Sequence, residues 1–392
     1  MKIGLVLPKV PAYSETFFLN KIKGLQKNGH TVIVFANSTE KSNYIASKVK
    51  IAPTLSGNII RVAFVSFFNL MYSFLFHFKV SIRLYKLERQ DGLSFSQSIK
   101  NIIANAHILS ESLDWLHFGF GTMVFNREHV AQAIGAKMAV SFRGFDIGIY
   151  PLKNPNCYLK LWGKVDKIHV ISNDIKELVL KNGFKGKAEI IKITPAIDTS
   201  FFKNNEQSFT SLKNNFITIA RLHWKKGLVD TLEALSLLKK EGVSFHYTII
   251  GEGDAYERLK FAVHQLDIIN EVTFTGKISP ELVKDKLNNA DLYLQYSIQE
   301  GFCNAVLEAQ AMGLLCVVSD AEGLSENVLD GETGWVVSSS NPKYLANKIK
   351  EVINLNEIEK NRIIIRAKER IKREFNLQKQ QQEFVDFYKI KD

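Results

Sequence analysis

The chain has 392 residues, of which 46% are hydrophobic and 23% charged, with a net charge of +11. These values exclude a disordered chain, and the length exceeds one ordinary core, so two domains are expected. Cys157, Cys303 and Cys316 are odd in number and form no C-x-x-C, which argues for reduced cytosolic thiols and against a disulfide or zinc framework.

Residues 1–193 carry 26 Lys+Arg against 12 Asp+Glu, whereas residues 194–392 carry 25 against 28. So basic an N-terminal half favours an anionic partner, a membrane surface or a nucleic acid. Nucleic acid is disfavoured because no recognisable binding motif accompanies the charge.

Residues 1–8 read as a short strand and not a leader, because the apolar run is short and charged residues follow. Ser14 is placed to cap a helix over 15–28, with Phe18, Ile22 and Leu25 on one face and Gly29 beyond its end. Short strands are expected at 31–36, 115–118, 137–142, 167–171 and 189–193, with helical runs between them. Such alternation implies a parallel sheet covered on both faces. Residues 194–214 break the pattern with Thr194-Pro195 and a polar stretch, and mark a domain boundary.

A second alternation follows. Strands are expected at 216–220, 246–250, 272–275, 292–296 and 315–318, and helices at 227–240, 255–266, 280–288, 305–312 and 325–329. Residues 341–392 read as helical and charged, and the apolar Phe384, Val385, Phe387 and Tyr388 of the last segment require a surface to dock on.

Residues 62–78 resist this scheme. They carry no formal charge, are rich in Phe, and precede Lys79, Arg83, Lys86 and Arg89. Seventeen residues interrupted by Asn69 and His77 fall short of a membrane span. The segment reads either as a core helix of the N-terminal domain or as an interfacial helix with a basic flank.

The chemistry concentrates in the second half. Arg221 stands at the carboxyl end of the strand 216–220, where open α/β sheets bind ligands, and Lys226 stands at the start of the next helix. A planar guanidinium fork and a mobile ammonium together clamp a diphosphate. Glu300-Gly301-Phe302-Cys303-Asn304-Ala305 leads from a buried strand into a helix with Asn304 as N-cap, and Glu308 follows one turn in. The helix N-terminus is an anion site flanked by two carboxylates suited to accept hydroxyl hydrogen bonds. Gly251-Glu252-Gly253 matches half of a dinucleotide fingerprint, with Tyr256 at the third glycine position, and reads as a turn open to ligand backbone contacts. Lys277 and Ile278 lie in a loop suited to line a base. No P-loop, H-E-x-x-H, G-x-S-x-G or D-x-D occurs, so neither a carboxylate-held metal nor a cofactor is signalled.

Arg221…Lys226-Gly227, Gly251-Glu252-Gly253 and Glu300-Gly301-Phe302-Cys303-Asn304…Glu308-Ala309 together resemble the retaining glycosyltransferases of family 4. Ser297, Ser319, Gly323, Glu326, Gly331 and Gly334 fall in the family's order. The resemblance implies the α/β GT-B fold: two Rossmann-like parallel-sheet domains facing across a cleft, with a C-terminal helix crossing back to the N-terminal domain. Residues 1–194 would form the acceptor domain, 195–374 the nucleotide-sugar domain and 375–392 the returning helix. Arg221 and Lys226 would hold the donor diphosphate and Glu300 the donor sugar's hydroxyls. Glu308 would hold the ribose. The backbone of Phe302, Cys303, Asn304 and Ala305 would meet sugar and phosphate, with Gly251, Gly253, Lys277 and Ile278 also on the donor side.

The N-terminal half is similar to enzymes that build bacterial surface polysaccharides, through Ser14-Glu15-Thr16-Phe17 and His117-Phe118-Gly119. It departs from them where Pro8-Lys9-Val10-Pro11-Ala12-Tyr13 replaces a Gly-rich loop and where Arg143-Gly144-Phe145-Asp146 replaces H-G-x-D. Ser14, His117, Arg143 and Asp146 are expected on the acceptor or sugar side, with Arg143 meeting a phosphate or acidic group, or pairing structurally with Asp146. The implied activity moves a sugar from a UDP- or GDP-type donor to a polysaccharide or lipid-linked glycan at the cytoplasmic face of an anionic membrane. The alternatives are a nucleotide-sugar epimerase, a sugar phosphorylase or a non-catalytic membrane-binding module.

Overall fold

The short Val- and Ile-rich runs form strands that separate into two wholly parallel sheets. The computed structural model describes residues 1–11, 16–38, 46–204, 214–339 and 341–389. The expected cap Ser14 lies outside them, as does most of the polar stretch after Asn204. The chain divides into two compact units, Met1–Ile193 with Gln380–Asp392, and Thr194–Lys379.

The sheet of the first unit comprises β1 (Lys2–Lys9), β2 (Thr31–Ser38), β3 (Lys48–Ile51), β4 (Trp115–Phe118), β5 (Lys137–Phe142), β6 (Lys167–Val170) and β7 (Glu189–Lys192), in the order β3-β2-β1-β4-β5-β6-β7. That of the second comprises β8 (Asn215–Ile219), β9 (His246–Ile250), β10 (Val272–Gly276), β11 (Leu292–Gln295), β12 (Leu315–Ser319) and β13 (Trp335–Val337), in the order β10-β9-β8-β11-β12-β13. The strand order reverses between β1 and β4 and between β8 and β11. Loops at the carboxyl ends of those strands diverge and leave room for a ligand. The edge strands β3 and β13 were not expected, because three or four residues carry too little periodic signal.

The last helix, Leu377–Phe387, returns to the first unit. Phe384 is fully buried against Phe17 and His169, with ring centroids 5.6 and 5.1 Å apart. The return is fixed by polar contacts as well: Trp115 Nε1 donates to the Tyr388 carbonyl at 3.1 Å, and Lys167 Nζ donates to the Phe387 carbonyl at 2.7 Å. The first core is therefore completed only when the end of the chain is in place.

After α1 (Thr16–Lys27), the apolar run near residue 62 becomes α2 (Ile59–Phe76), ending at His77, and α3 (Phe78–Gln90) and α4 (Phe95–Leu109) follow. The reading of this run as a core helix is overturned, since only Ser73 of α2 is buried. α2 is long and apolar enough to cross a bilayer by length and composition. The sheet forbids it: β1 precedes α2, β4 follows it, and the two are hydrogen-bonded neighbours. A single crossing would put them on opposite sides, and a return through α3 would drag Lys79, Arg83, Lys86, Glu88 and Arg89 through hydrocarbon. α2 therefore lies on the surface of its unit.

Because Phe384 closes the first core, Phe384→Ala is expected to cost about 3–5 kcal/mol. Urea unfolding followed by near-UV signals of Trp115 and Trp162 should show this loss in the transition of the first unit.

Candidate active site

Two loops at the carboxyl ends of β8 and β11 build the site. The first runs through Arg221 to a turn at Trp224–Lys226 and then Gly227, which is left-handed at φ +56°. The second runs from Tyr296 to Cys303. They are zipped by their backbones: the Lys225 carbonyl accepts from Ile298 N–H at 2.7 Å and from Gln299 N–H at 3.2 Å. Gly227 permits the approach, because a Cβ there would lie 1.9 Å from the Tyr296 carbonyl oxygen.

The zipper brings Lys226 onto Glu300 in an ion pair through Glu300 Oε2, which Ser297 Oγ also approaches at 3.4 Å. Burial opposes the charge on Lys226, but the Glu300 carboxylate outweighs it, and the ammonium is held above its ordinary value. Glu300 is itself anchored at both ends. Its N–H donates to Glu322 at 3.0 Å, and its carbonyl accepts from Gly323 N–H at 2.9 Å. Glu322, a non-glycine residue at φ +35°, was not singled out by the sequence. Its place beneath Glu300 had no signal beyond the neighbouring glycine. Arg221 is exposed beside these groups and makes no ion pair among the described residues. Its charge nonetheless reaches Lys225, whose pKa is lowered first by burial and then by Arg221.

Gly251 and Gly253 have a packing role that the sequence did not indicate. A Cβ on either would run into the Ala220 carbonyl at 1.9 Å or the Leu222 carbonyl at 2.2 Å. Leu222 exchanges hydrogen bonds with this turn, its N–H to the Glu252 carbonyl at 2.9 Å and its carbonyl from Ala255 N–H at 3.0 Å. The glycines therefore hold the Arg221 loop by backbone packing. Lys277 is exposed, with its N–H 3.4 Å from a Glu252 carboxylate oxygen, and Ile278 packs into the core beneath.

The helix Asn304–Met312 follows Glu300. Asn304 is its first residue; Cys303 is the N-cap, and no side chain caps it by hydrogen bond. The reading of Asn304 as N-cap is thus corrected. Cys303 is fixed instead by Asn327, whose Oδ1 accepts from Cys303 N–H and whose Nδ2 donates to the Cys303 carbonyl, each at 3.0 Å. Its thiol is buried, and burial followed by the Glu300 charge pushes its pKa up to about 12, so it is no nucleophile. Phe302 packs on Phe375, while Asn304 and Ala305 remain partly exposed. Burial pushes the Glu308 carboxyl up to about 8, and it makes no hydrogen bond or ion pair among the described residues. This shift favours the protonated carboxyl near neutral pH, a form that both donates and accepts.

The expected sugar-side residues of the first unit fare differently. His117 is fully buried and cannot touch a ligand directly. It is enclosed by Lys21 Nζ at 3.1 Å, Tyr388 Oη at 2.6 Å and Ser141 Oγ at 2.7 Å. Asp146 is also buried and is consumed by its own loop, accepting from the N–H groups of Gly121 at 2.9 Å and of Arg143 and Gly144 at 3.0 Å. Neither side chain reaches the surface, so the expectation of direct ligand contact is corrected for both. Arg143 remains half-exposed with its guanidinium 3.8 Å over the Phe17 ring. The polar network behind it, Lys21, His117, Ser141 and His169, was only partly visible in the sequence. Lys21 lies on the buried face of its helix with no carboxylate partner among the described residues, and burial lowers its pKa well below the usual value.

The raised Glu308 pKa has a stability consequence. Between the usual carboxylate range and about pH 8 the folded protein holds a proton that the unfolded chain has lost, so stability falls as pH rises through this window. Glu308→Gln removes the effect. Its stability advantage over the parent should grow between pH 5 and pH 8, by on the order of 1–3 kcal/mol in urea unfolding of the second unit.

Residues 200–370 match the family of glycosyl transferases group 1. Over 96% of this chain and 97% of its own, WcaL of Escherichia coli K12, named as a colanic acid biosynthesis glycosyltransferase, is 26% identical. The amylovoran biosynthesis glycosyltransferase AmsK of Erwinia amylovora is 27% identical over 70% of this chain and 69% of its own. A Rickettsia africae glycosyltransferase superposes with a TM-score of 0.69 at 17% identity, covering 99% of this chain and 97% of its own. Anabaena Alr3699/HepE, solved with UDP and glucose, superposes with a TM-score of 0.71 at 14% identity, covering 98% of each chain. These two share the GT-B fold. The zipped Lys226–Glu300 loops lie inside the matched stretch, so residues 200–370 carry the glycosyl transferases group 1 pattern, and the chain as a whole is similar to glycosyltransferases of exopolysaccharide biosynthesis.

Proposed function

We propose that the protein transfers a sugar from a UDP- or GDP-type nucleotide-diphosphate donor to a hydroxyl of a polysaccharide or lipid-linked glycan, in the assembly of a bacterial surface polysaccharide. The observation that carries this reading is the cation pair at the end of β8: Lys226 held protonated by Glu300, with the Arg221 guanidinium nearby making no ion pair among the described residues. The names of the relatives, in colanic acid and amylovoran biosynthesis, support the acceptor class. The UDP and glucose held by the Anabaena neighbour support the donor class.

In this reading the donor diphosphate lies against Arg221, Lys226 and the uncapped N–H groups after Cys303. As the bond between the anomeric carbon and the phosphate oxygen breaks, the growing negative charge meets cations already in place. The acceptor hydroxyl attacks on the same face, and its proton passes to an oxygen of the leaving diphosphate. No protein nucleophile is required. Glu300 orients the sugar hydroxyls while tethering Lys226. A neutral Glu308 binds the ribose hydroxyls without repelling the phosphates, which an ionised carboxylate there would do. The reaction takes place at the cytoplasmic face of an anionic membrane, where the basic N-terminal half meets its acceptor.

Lys226→Ala is expected to lower donor turnover by about 10²–10³-fold while circular dichroism stays that of the parent. Slow donor hydrolysis with a panel of nucleotide sugars, read by mass spectrometry, measures it and identifies the donor. Turnover in the variant close to that of the parent would remove the diphosphate clamp from the mechanism.

A further inference from the structure

α2 is turned inside out. Its polar residues face the protein: Ser73 is buried, with its carbonyl accepting from Ser81 Oγ at 3.1 Å, and Ser66 and Asn69 are half-buried. Most of its aromatic and long apolar residues face away, with Phe64 64%, Phe67 58% and Leu75 67% exposed, while Val62, Val65, Leu70 and Phe74 are half-buried. Water expels such a face, so an apolar partner is implied. The partner's charge is set by the flanks. Arg61, Lys79, Arg83 and Lys86 are all exposed, and no Asp or Glu occurs between residues 58 and 87. A second copy of this chain would bring the same positive charge to the contact, whereas an anionic lipid surface complements it.

Beside this face, between α2 and α4, lies a cavity of about 430 Å³. Val62 and Ser66 of α2 form one wall, Lys100 and Asn105 of α4 the other, and Phe125 and Arg127 close the end. Arg127 is held in place through Nε to Asn105 Oδ1 at 2.9 Å and Nη1 to the Met123 carbonyl at 3.1 Å. It is partly buried and makes no ion pair among the described residues, and neither does Lys100 at the rim. Burial lowers the Arg127 pKa and the neighbouring Glu128 charge only partly opposes this, so a phosphate offering oxygens to the guanidinium fork suits the site.

We propose that this cavity binds the phosphate head of a membrane lipid, with the lipid's hydrocarbon lying along the exposed face of α2. The cavity supplies two cations and polar walls for the head, and the inverted helix supplies the apolar track beside it. This deepens the membrane placement proposed above and rests on it, but it does not depend on the donor assignment. It also gives the surface a direction. The unit would dock with α2 in the plane of the membrane and α4 behind it.

The test is co-sedimentation of the full chain with vesicles of phosphatidylcholine containing phosphatidylglycerol. The parent should bind, and Lys100→Glu and Arg127→Gln should each weaken binding at least tenfold. Lys100 is exposed, so its variant keeps the test valid if Arg127→Gln fails to fold. Phe64→Ser with Phe67→Ser should abolish binding. Free glycerol phosphate at millimolar concentration should not displace the protein; displacement would show a site for soluble phosphate and overturn the lipid assignment. Parent-like binding by Lys100→Glu would overturn the cavity while leaving the membrane placement standing. Failure of the parent to bind would overturn both, and donor hydrolysis, measured separately without vesicles, would be untouched by either failure.

Discussion

The site depends on two loops being held together before any ligand arrives. The Lys225 carbonyl accepts two N–H groups from the β11 loop, and this contact sets Lys226 against Glu300. An ion pair across two flexible loops would be worth little, because ordering both side chains offsets the attraction. Here the backbone has already ordered them, so the pair inherits its geometry. Glycine 227 is the condition for this closeness, since any side chain would strike the Tyr296 carbonyl. The same device recurs at Gly251 and Gly253, which let the β9 turn grip the Arg221 loop.

Electrostatics then divides the work among the acids. Glu300 is ionised in partnership with Lys226, and Glu322 is committed to the backbone of Glu300. Glu308, with no cation partner among the described residues, is pushed by burial toward its neutral form. Three carboxyl groups near an anion site would repel it if all were free and charged. Their different surroundings prevent that. The first unit shows the opposite economy. Its buried polar groups Lys21, His117, Ser141 and His169 satisfy one another and carry no exposed chemistry, and the final helix seals them with Tyr388.

Much of this was legible in the chain. Periodicity located nearly every central strand, because strands buried on both faces are written as unbroken apolar runs, whereas Phe78–Gln90 and Phe95–Leu109 received no bounds of their own. The helix 280–288 was located to the residue, since Ser279 and Pro280 mark its start unambiguously. The short edge strands β3 and β13 escaped, and Asn304 was misplaced by one position at its helix start. Cap residues identify a helix start only to within a residue when the true cap bonds through its backbone.

The sequence by itself determined the two parallel sheets, the basic first half and the residues that form the cation clamp, because these follow from residue type and spacing within short segments. The tertiary structure decided what those residues face. It put His117 and Asp146 inside the protein, turned the Phe-rich face of α2 outward, and assigned the glycines to backbone packing. Those outcomes depend on contacts between segments far apart in the chain, such as Tyr388 on His117 and Arg127 on Asn105. Burial is a property of the neighbours a residue acquires on folding, and local sequence does not carry it.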